Sequence, residues 1–148
     1  MDSREATLEH ISVVQRLLKL VIENLFNRAE VHDESKLFSP EVEIFDEVTP
    51  KLAALTYGSP EYNDMLKQMG VGLEHHYKYN SHHPEHYKDG IKGMSLLDLI
   101  EMICDWKAAT LRHKNGDLLR SIEQNQQRFG YSDELKQIFL NTVNELRL

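Results

Sequence analysis

Five of the chain's 8 histidines are His75, His76, His82, His83 and His86, and the other three are His10, His32 and His113. Such a density of imidazole beside carboxylates suits a divalent transition metal: Mn, Fe, Co, Ni or Zn. The sharpest local pattern is His32-Asp33 followed by Lys36. Adjacent residues on a helix point about 100° apart, so both reach one ion only from a helix edge or a distorted turn. His-Asp alone is common, and its plain reading is a solvated surface turn.

Two further residues add weight. His10 lies four residues before Val14 and seven before Leu17, at the border of an apolar stripe, where its plain reading is a satisfied buried histidine. Asp105 interrupts the apolar run from Leu96 to Trp106 and shares a helix face with Asp98, Met102 and Ala109. A carboxylate in such a run requires a partner, because a bare buried charge is very costly. A metal, an Arg or Lys, or a helix N-terminus would serve. Glu41 is a weaker candidate for a carboxylate that orients a ligand, its ordinary reading being an acidic residue in a first helical turn.

The order His10, His32-Asp33, histidine cluster, Asp105 resembles the signature of the HD-domain superfamily of metal-dependent phosphohydrolases, over about Leu8 to Ala109. His32-Asp33-Glu34-Ser35-Lys36 resembles the HD-x-x-K variant, in which extra histidines hold a second metal. The stretch from His75 to Tyr87, with Asp105-Trp106, is also similar to a group of small phage and bacterial proteins.

The resemblance implies an all-α, single-domain helical bundle spanning residues 1–148. His10, on the first helix, His32 and Asp33, on the second, and Asp105, on a late helix, would hold one divalent ion. A second ion would take Asp33 as a bridge, with His76 and His83 as first choices and His75 and His82 next. One member of each adjacent pair is expected to face the site. The departures are Lys36, where many mononuclear nucleotidases of the superfamily carry Glu, and Ser35, where the two-metal phosphodiesterases usually carry Gly.

The implied activity is phosphoester hydrolysis on a small phosphorylated molecule such as a nucleotide. Asp33 and Lys36 would act in catalysis, and Lys36, Lys78, Asn80 and His86 would contact substrate. A di-iron oxygenase on the same fold and a non-enzymatic, metal-stabilised interaction module are the alternatives. The net charge of −7 argues against general nucleic-acid binding, which needs clustered Lys and Arg. No apolar run reaches the roughly 18 residues of a membrane span. The polar N-terminal residues are unlike a signal peptide, so a cytoplasmic protein is expected. The one cysteine, Cys104, sits in an apolar run and reads as a buried thiol.

The elements that would position these groups are helical. Only 7 Gly and 4 Pro punctuate 148 residues, an economy that favours long helices. Ile11, Val14, Leu18, Val21, Ile22 and Leu25 recur at helical steps and predict a helix from Ser3 to Arg28. A short helix over Glu30–Phe38 is expected next. Ser39-Pro40, Thr49-Pro50 and Ser59-Pro60 each read as an N-cap followed by a first-turn proline. They predict helices over 40–48, 50–56 and 60–79, the last weakened by Gly70 and Gly72. Residues 81–93 read as an ordered loop. Ser95 and Asp98 read as a capping box opening a helix to about His113. Further helices are expected over Asp117–Phe129, closed by Gly130, and from Ser132 to near Arg147. The last places Leu135, Ile138, Phe139, Thr142, Val143 and Leu146 on or near one face, to close the core.

Overall fold

The computed structural model describes residues 2–56 and 58–148, and all regular structure among them is helical. Two units are distinguished, Met1–His32 and Asp33–Leu148. The first is one helix, α1 (Ser3–Val31), opened by the Asp2 carboxylate accepting from the Arg4 N–H at 3.3 Å. Its apolar stripe has nothing within its own unit to pack against, because a lone helix cannot bury its own face.

The second unit begins with a sharp turn. Asp33 adopts the left-handed region at φ 56°, and a short 3₁₀ turn covers Glu34–Leu37. The helix expected over Glu30–Phe38 is therefore replaced by the end of α1 and this turn, and His32 and Asp33 flank a break instead of sharing a second helix.

Next come α2 (Glu41–Ala53), α3 (Pro60–Gln68) and α4 (Gly70–Tyr79). Of the three Ser/Thr-Pro signals only Ser59 caps, accepting from the Tyr62 N–H at 3.1 Å. At Ser39-Pro40 the N–H groups of Glu41 and Val42 donate to the Phe38 carbonyl, so Pro40 occupies the cap position. At Thr49-Pro50 the helix continues through the proline. A mid-helix proline removes one hydrogen bond and crowds the carbonyl four residues back, and α2 ends within a turn of it, at Ala53. The span 60–79 divides at Met69, where the backbone turns before Gly70.

Two 3₁₀ turns, Pro84–His86 and Gly90–Gly93, order the loop that leads to α5 (Leu96–Leu111). The Ser95–Asp98 capping box forms in full. The α6 helix (Leu118–Phe129) ends at Gly130, at φ 66°, and α7 (Asp133–Leu146) is capped by Ser132.

The apolar core lies among α5, α6 and α7. Met102, Ile103, Trp106, Leu118, Ile122, Tyr131, Phe139 and Val143 are its buried members. Trp106 lies parallel to Phe129 and edge-on to Phe139, and Phe139 is edge-on to Tyr131. The Tyr131 hydroxyl donates to the Ile122 carbonyl, giving its buried polar tip a partner. Leu135 packs against this core, whereas Ile138 and Leu146, expected on the same face, are exposed. Cys104 is also exposed, correcting the buried-thiol reading. It follows Met102 by two residues, about 200° round the helix, so it faces away from the buried side. No helix among the described residues is long and apolar enough to cross a membrane.

Candidate metal centre

The sequence-predicted residues divide between the units. His10 lies on α1 and His32 is its C-terminal cap, both in the first unit. The cluster described here is built wholly from the second.

It starts with the close approach of α4 to α2. A Cβ on Gly72 would stand 2.9 Å from Ile44 Cδ1, so the glycine permits this spacing. Glu41, three residues before Ile44, and His76, four after Gly72, then face each other. Glu41 is fully buried. Its Oε1 lies 2.6 Å from His75 Nδ1, its Oε2 2.9 Å from His76 Nδ1, and the Ser35 hydroxyl donates to Oε2 at 3.1 Å. Burial raises the carboxyl pKa, but the hydrogen bonds from His75, His76 and Ser35 outweigh it and hold the group below its ordinary value.

The other ring nitrogen of His76 points into a group of donors. His76 Nε2 lies 3.0 Å from His83 Nε2 and 3.3 Å from Asp33 Oδ1, and His82 Nε2 lies 3.4 Å from the same Oδ1. All four donor atoms lie within 4.8 Å of one another. On the far side of the His82 ring, Nδ1 lies 3.1 Å from Glu101 Oε1. Asp105 stands at the margin, its Oδ2 4.0 Å from His82 Nε2.

These distances test the fit of an ion. Donors at about 2.0–2.2 Å from one metal lie about 3.0–3.5 Å apart along tetrahedral or octahedral edges. The three measured separations fall in that range. A carboxylate on the outer nitrogen of a ligating histidine is also the usual brace of a metal site. Burial, with the His82 and His76 rings, holds the His83 imidazole down at about 3, so its ring is neutral near pH 7, as a ligand must be. Asp33, Glu41, Glu101 and Asp105 each lie within 4.0 Å of a histidine ring of this group, and Lys36 pairs with Asp33.

Lys36 Nζ lies 2.5 Å from Asp33 Oδ2 and 5.1 Å from the centre of the Phe45 ring. It therefore holds one carboxylate oxygen while the other faces the histidines.

Of the adjacent pairs, His76 turns inward and His75 turns to Glu41, whereas His82 and His83 both enter the group. The expectation of one inward member per pair fails for the second pair, because residues 81–83 are not helical and the two side chains are not held about 100° apart. The residues expected to contact substrate have other partners. Asn80 is buried and donates to Ser35 Oγ and to the His76 carbonyl, both at 2.8 Å. His86 Nδ1 bonds the Tyr77 carbonyl, and Lys78 lies over the Tyr79 ring.

Glu101 is the residue that the reading of the sequence missed. It stands four residues before Asp105 in the same apolar run, on the same helix face, and the two interruptions at that spacing are the signal that points to it.

The loop that carries His82 and His83 is fixed to α5 by Asp98. Its carboxylate accepts from Ser81 Oγ at 2.8 Å, Tyr87 OH at 2.7 Å, and the Ser95 N–H and Oγ at 2.7 and 2.8 Å. Burial alone would raise its pKa, yet these donors bring it down to about 2.

Among known proteins, the model of a family of unknown function, DUF5662, matches residues 1–146. No curated protein matches the chain, and no solved structure does.

Proposed function

We propose that this chain, which belongs to the family of unknown function DUF5662, is a divalent-metal phosphohydrolase acting on a small nucleotide or other phosphoester. The observation that carries this reading is the convergence of Asp33 Oδ1 with the Nε2 atoms of His76, His82 and His83 at ligand-like separations. Mn, Fe, Co, Ni or Zn suits this mixed set of imidazole and carboxylate. A bound ion would supply an acidified water and neutralise phosphoryl oxygens.

The chain's own residues supply the rest. Asp33 holds a donor oxygen in place through its turn and its pairing with Lys36. Lys36, paired with Asp33, would turn to a phosphoryl oxygen when substrate competes for it. Asp105, at 4.0 Å from His82, adds a carboxylate that can orient a water or a second ion.

The count of donors favours a second reading. One carboxylate and three imidazoles complete a tetrahedron, and a closed tetrahedral site is the form of structural zinc. The chain would then be a metal-stabilised interaction module.

Elemental analysis of untagged protein, beside Asp33→Asn and His82→Ala, separates these readings when joined to a phosphatase screen over nucleoside mono-, di- and triphosphates. The expected result is at least one equivalent of transition metal, lost in both variants, with phosphate release that follows metal content. Metal without turnover on any phosphoester would support the interaction module. No metal after reconstitution would overturn both readings, and iron with oxygen-dependent turnover would replace hydrolysis by oxygenation.

A further inference from the structure

The donors and acceptors behind His76 can be counted. Asn80 has two amide protons, and they go to Ser35 Oγ and the His76 carbonyl. Neither therefore serves His76 Nδ1, although Asn80 Nδ2 lies 3.1 Å from it. Ser35 accepts from Asn80, and its one hydroxyl proton goes to Glu41 Oε2 at 3.1 Å in preference to His76 Nδ1 at 3.4 Å. Glu41 is a carboxylate with Ser35 Oγ, His75 Nδ1 and His76 Nδ1 all within hydrogen-bond distance of its two oxygens, and it serves them as the acceptor. His76 Nδ1, at 2.9 Å from that carboxylate, must then carry the ring's proton. Its Nε2 is left as a lone pair that accepts from His83 Nε2 at 3.0 Å and lies 3.3 Å from Asp33 Oδ1. On the other side of the cluster, Glu101 stands in the same relation to His82 Nδ1.

From this count we infer that Glu41, acting with Ser35 and Asn80, and Glu101 are positioning residues that lock His76 and His82 as Nδ1–H tautomers, with both Nε2 lone pairs directed to the metal point before any ion arrives. Free histidine in water favours the opposite tautomer, so the lock is a property of these contacts and not of the imidazole. It also gives Ser35, where the resembling phosphodiesterases carry glycine, a task that glycine cannot perform, because Ser35 joins Asn80 to Glu41.

The inference rests on the metal reading for its purpose but not for its test. Two-bond ¹H–¹⁵N correlation spectra of the metal-free protein report each ring's tautomer directly. The wild type is expected to give Nδ1–H for His76 and His82. Glu41→Gln, whose amide both donates and accepts, is expected to mix the His76 tautomers and leave His82 unchanged, and Glu101→Gln to do the reverse. Each is expected to weaken Zn²⁺ or Mn²⁺ binding about 10- to 100-fold. Ser35→Ala is a milder variant, removing one donor to Glu41, for use should Glu41→Gln fold poorly. Nε2–H tautomers in the wild type would overturn the inference without any variant, as would metal affinities unchanged within about threefold. A wild type that binds no metal but carries Nδ1–H on both rings would retain the lock and remove the proposed function.

Discussion

Replacing Asp98 by Asn tests whether the loop that carries His82 and His83 is held by one buried carboxylate. Three donors, Tyr87 OH and the N–H and Oγ of Ser95, converge on Oδ2, and Ser81 Oγ takes Oδ1. An amide cannot accept at both positions, so at least one donor loses its acceptor. The magnitude follows from the carboxyl group. Its pKa is about 2 in the folded chain against an ordinary 3.8. At about 1.4 kcal/mol per pH unit, the ionised group contributes about 2 kcal/mol at pH 7. A carboxyl held low in the folded state stabilises fully above its ordinary pKa, and that contribution is lost as pH falls through the folded value, here between about pH 4 and pH 2. The assay is urea unfolding of wild type and Asp98→Asn from pH 7 to pH 3. The expected gap is about 2 kcal/mol at pH 7, narrowing to about 1 kcal/mol at pH 3. Metal affinity is expected to fall in the variant, because Ser81 adjoins His82. A gap that stays constant with pH, or widens on acidification, would refute the reasoning.

Further substitutions probe the packing around the site. Gly72→Ala places a methyl 2.9 Å from Ile44 Cδ1 and is expected to cost about 1–3 kcal/mol in denaturant unfolding. It is also expected to lengthen the Glu41–His76 contact, seen as weaker metal binding. Gly130→Ala meets no neighbour within 4 Å but keeps φ at 66°, so a loss of about 1 kcal/mol with unchanged metal affinity is expected. Ile122→Ala empties a fully buried position between α6 and its neighbours and is expected to cost about 2–5 kcal/mol, read from the shift in urea midpoint.

The helix boundaries that the sequence made legible are those set by local chemistry. Asp2, Ser59, Ser95, Asp117 and Ser132 all accept from the first-turn N–H groups of the helices they precede, and Gly130 ends α6 in the left-handed region. At two Ser/Thr-Pro pairs the composition misleads. Ser39-Pro40 has the composition of a cap, yet the Phe38 carbonyl takes the N–H groups of Glu41 and Val42. Pro50 has the composition of a helix start, yet α2 passes through it.

The site divides in the same manner. Histidine density and Asp33 mark the cluster in one dimension. Which ring turns inward is decided by Glu41 and Glu101, carboxylates that reach the rings from α2 across 34 and 35 positions of chain and from α5 across 19. No periodicity within residues 75–86 encodes those partners, so His75 and His76 are indistinguishable until α4 lies on α2.

The backbone of Asp33 sets a conflict between durability and chemistry. At φ 56° an aspartate is tolerated, but glycine occupies that region at no steric cost. Asp33→Gly thus relieves the backbone, while it removes the Lys36 pairing and deletes the oxygen shared by His76 and His82. Relaxing this turn with glycine and keeping the carboxylate for the histidines are therefore exclusive at this one position.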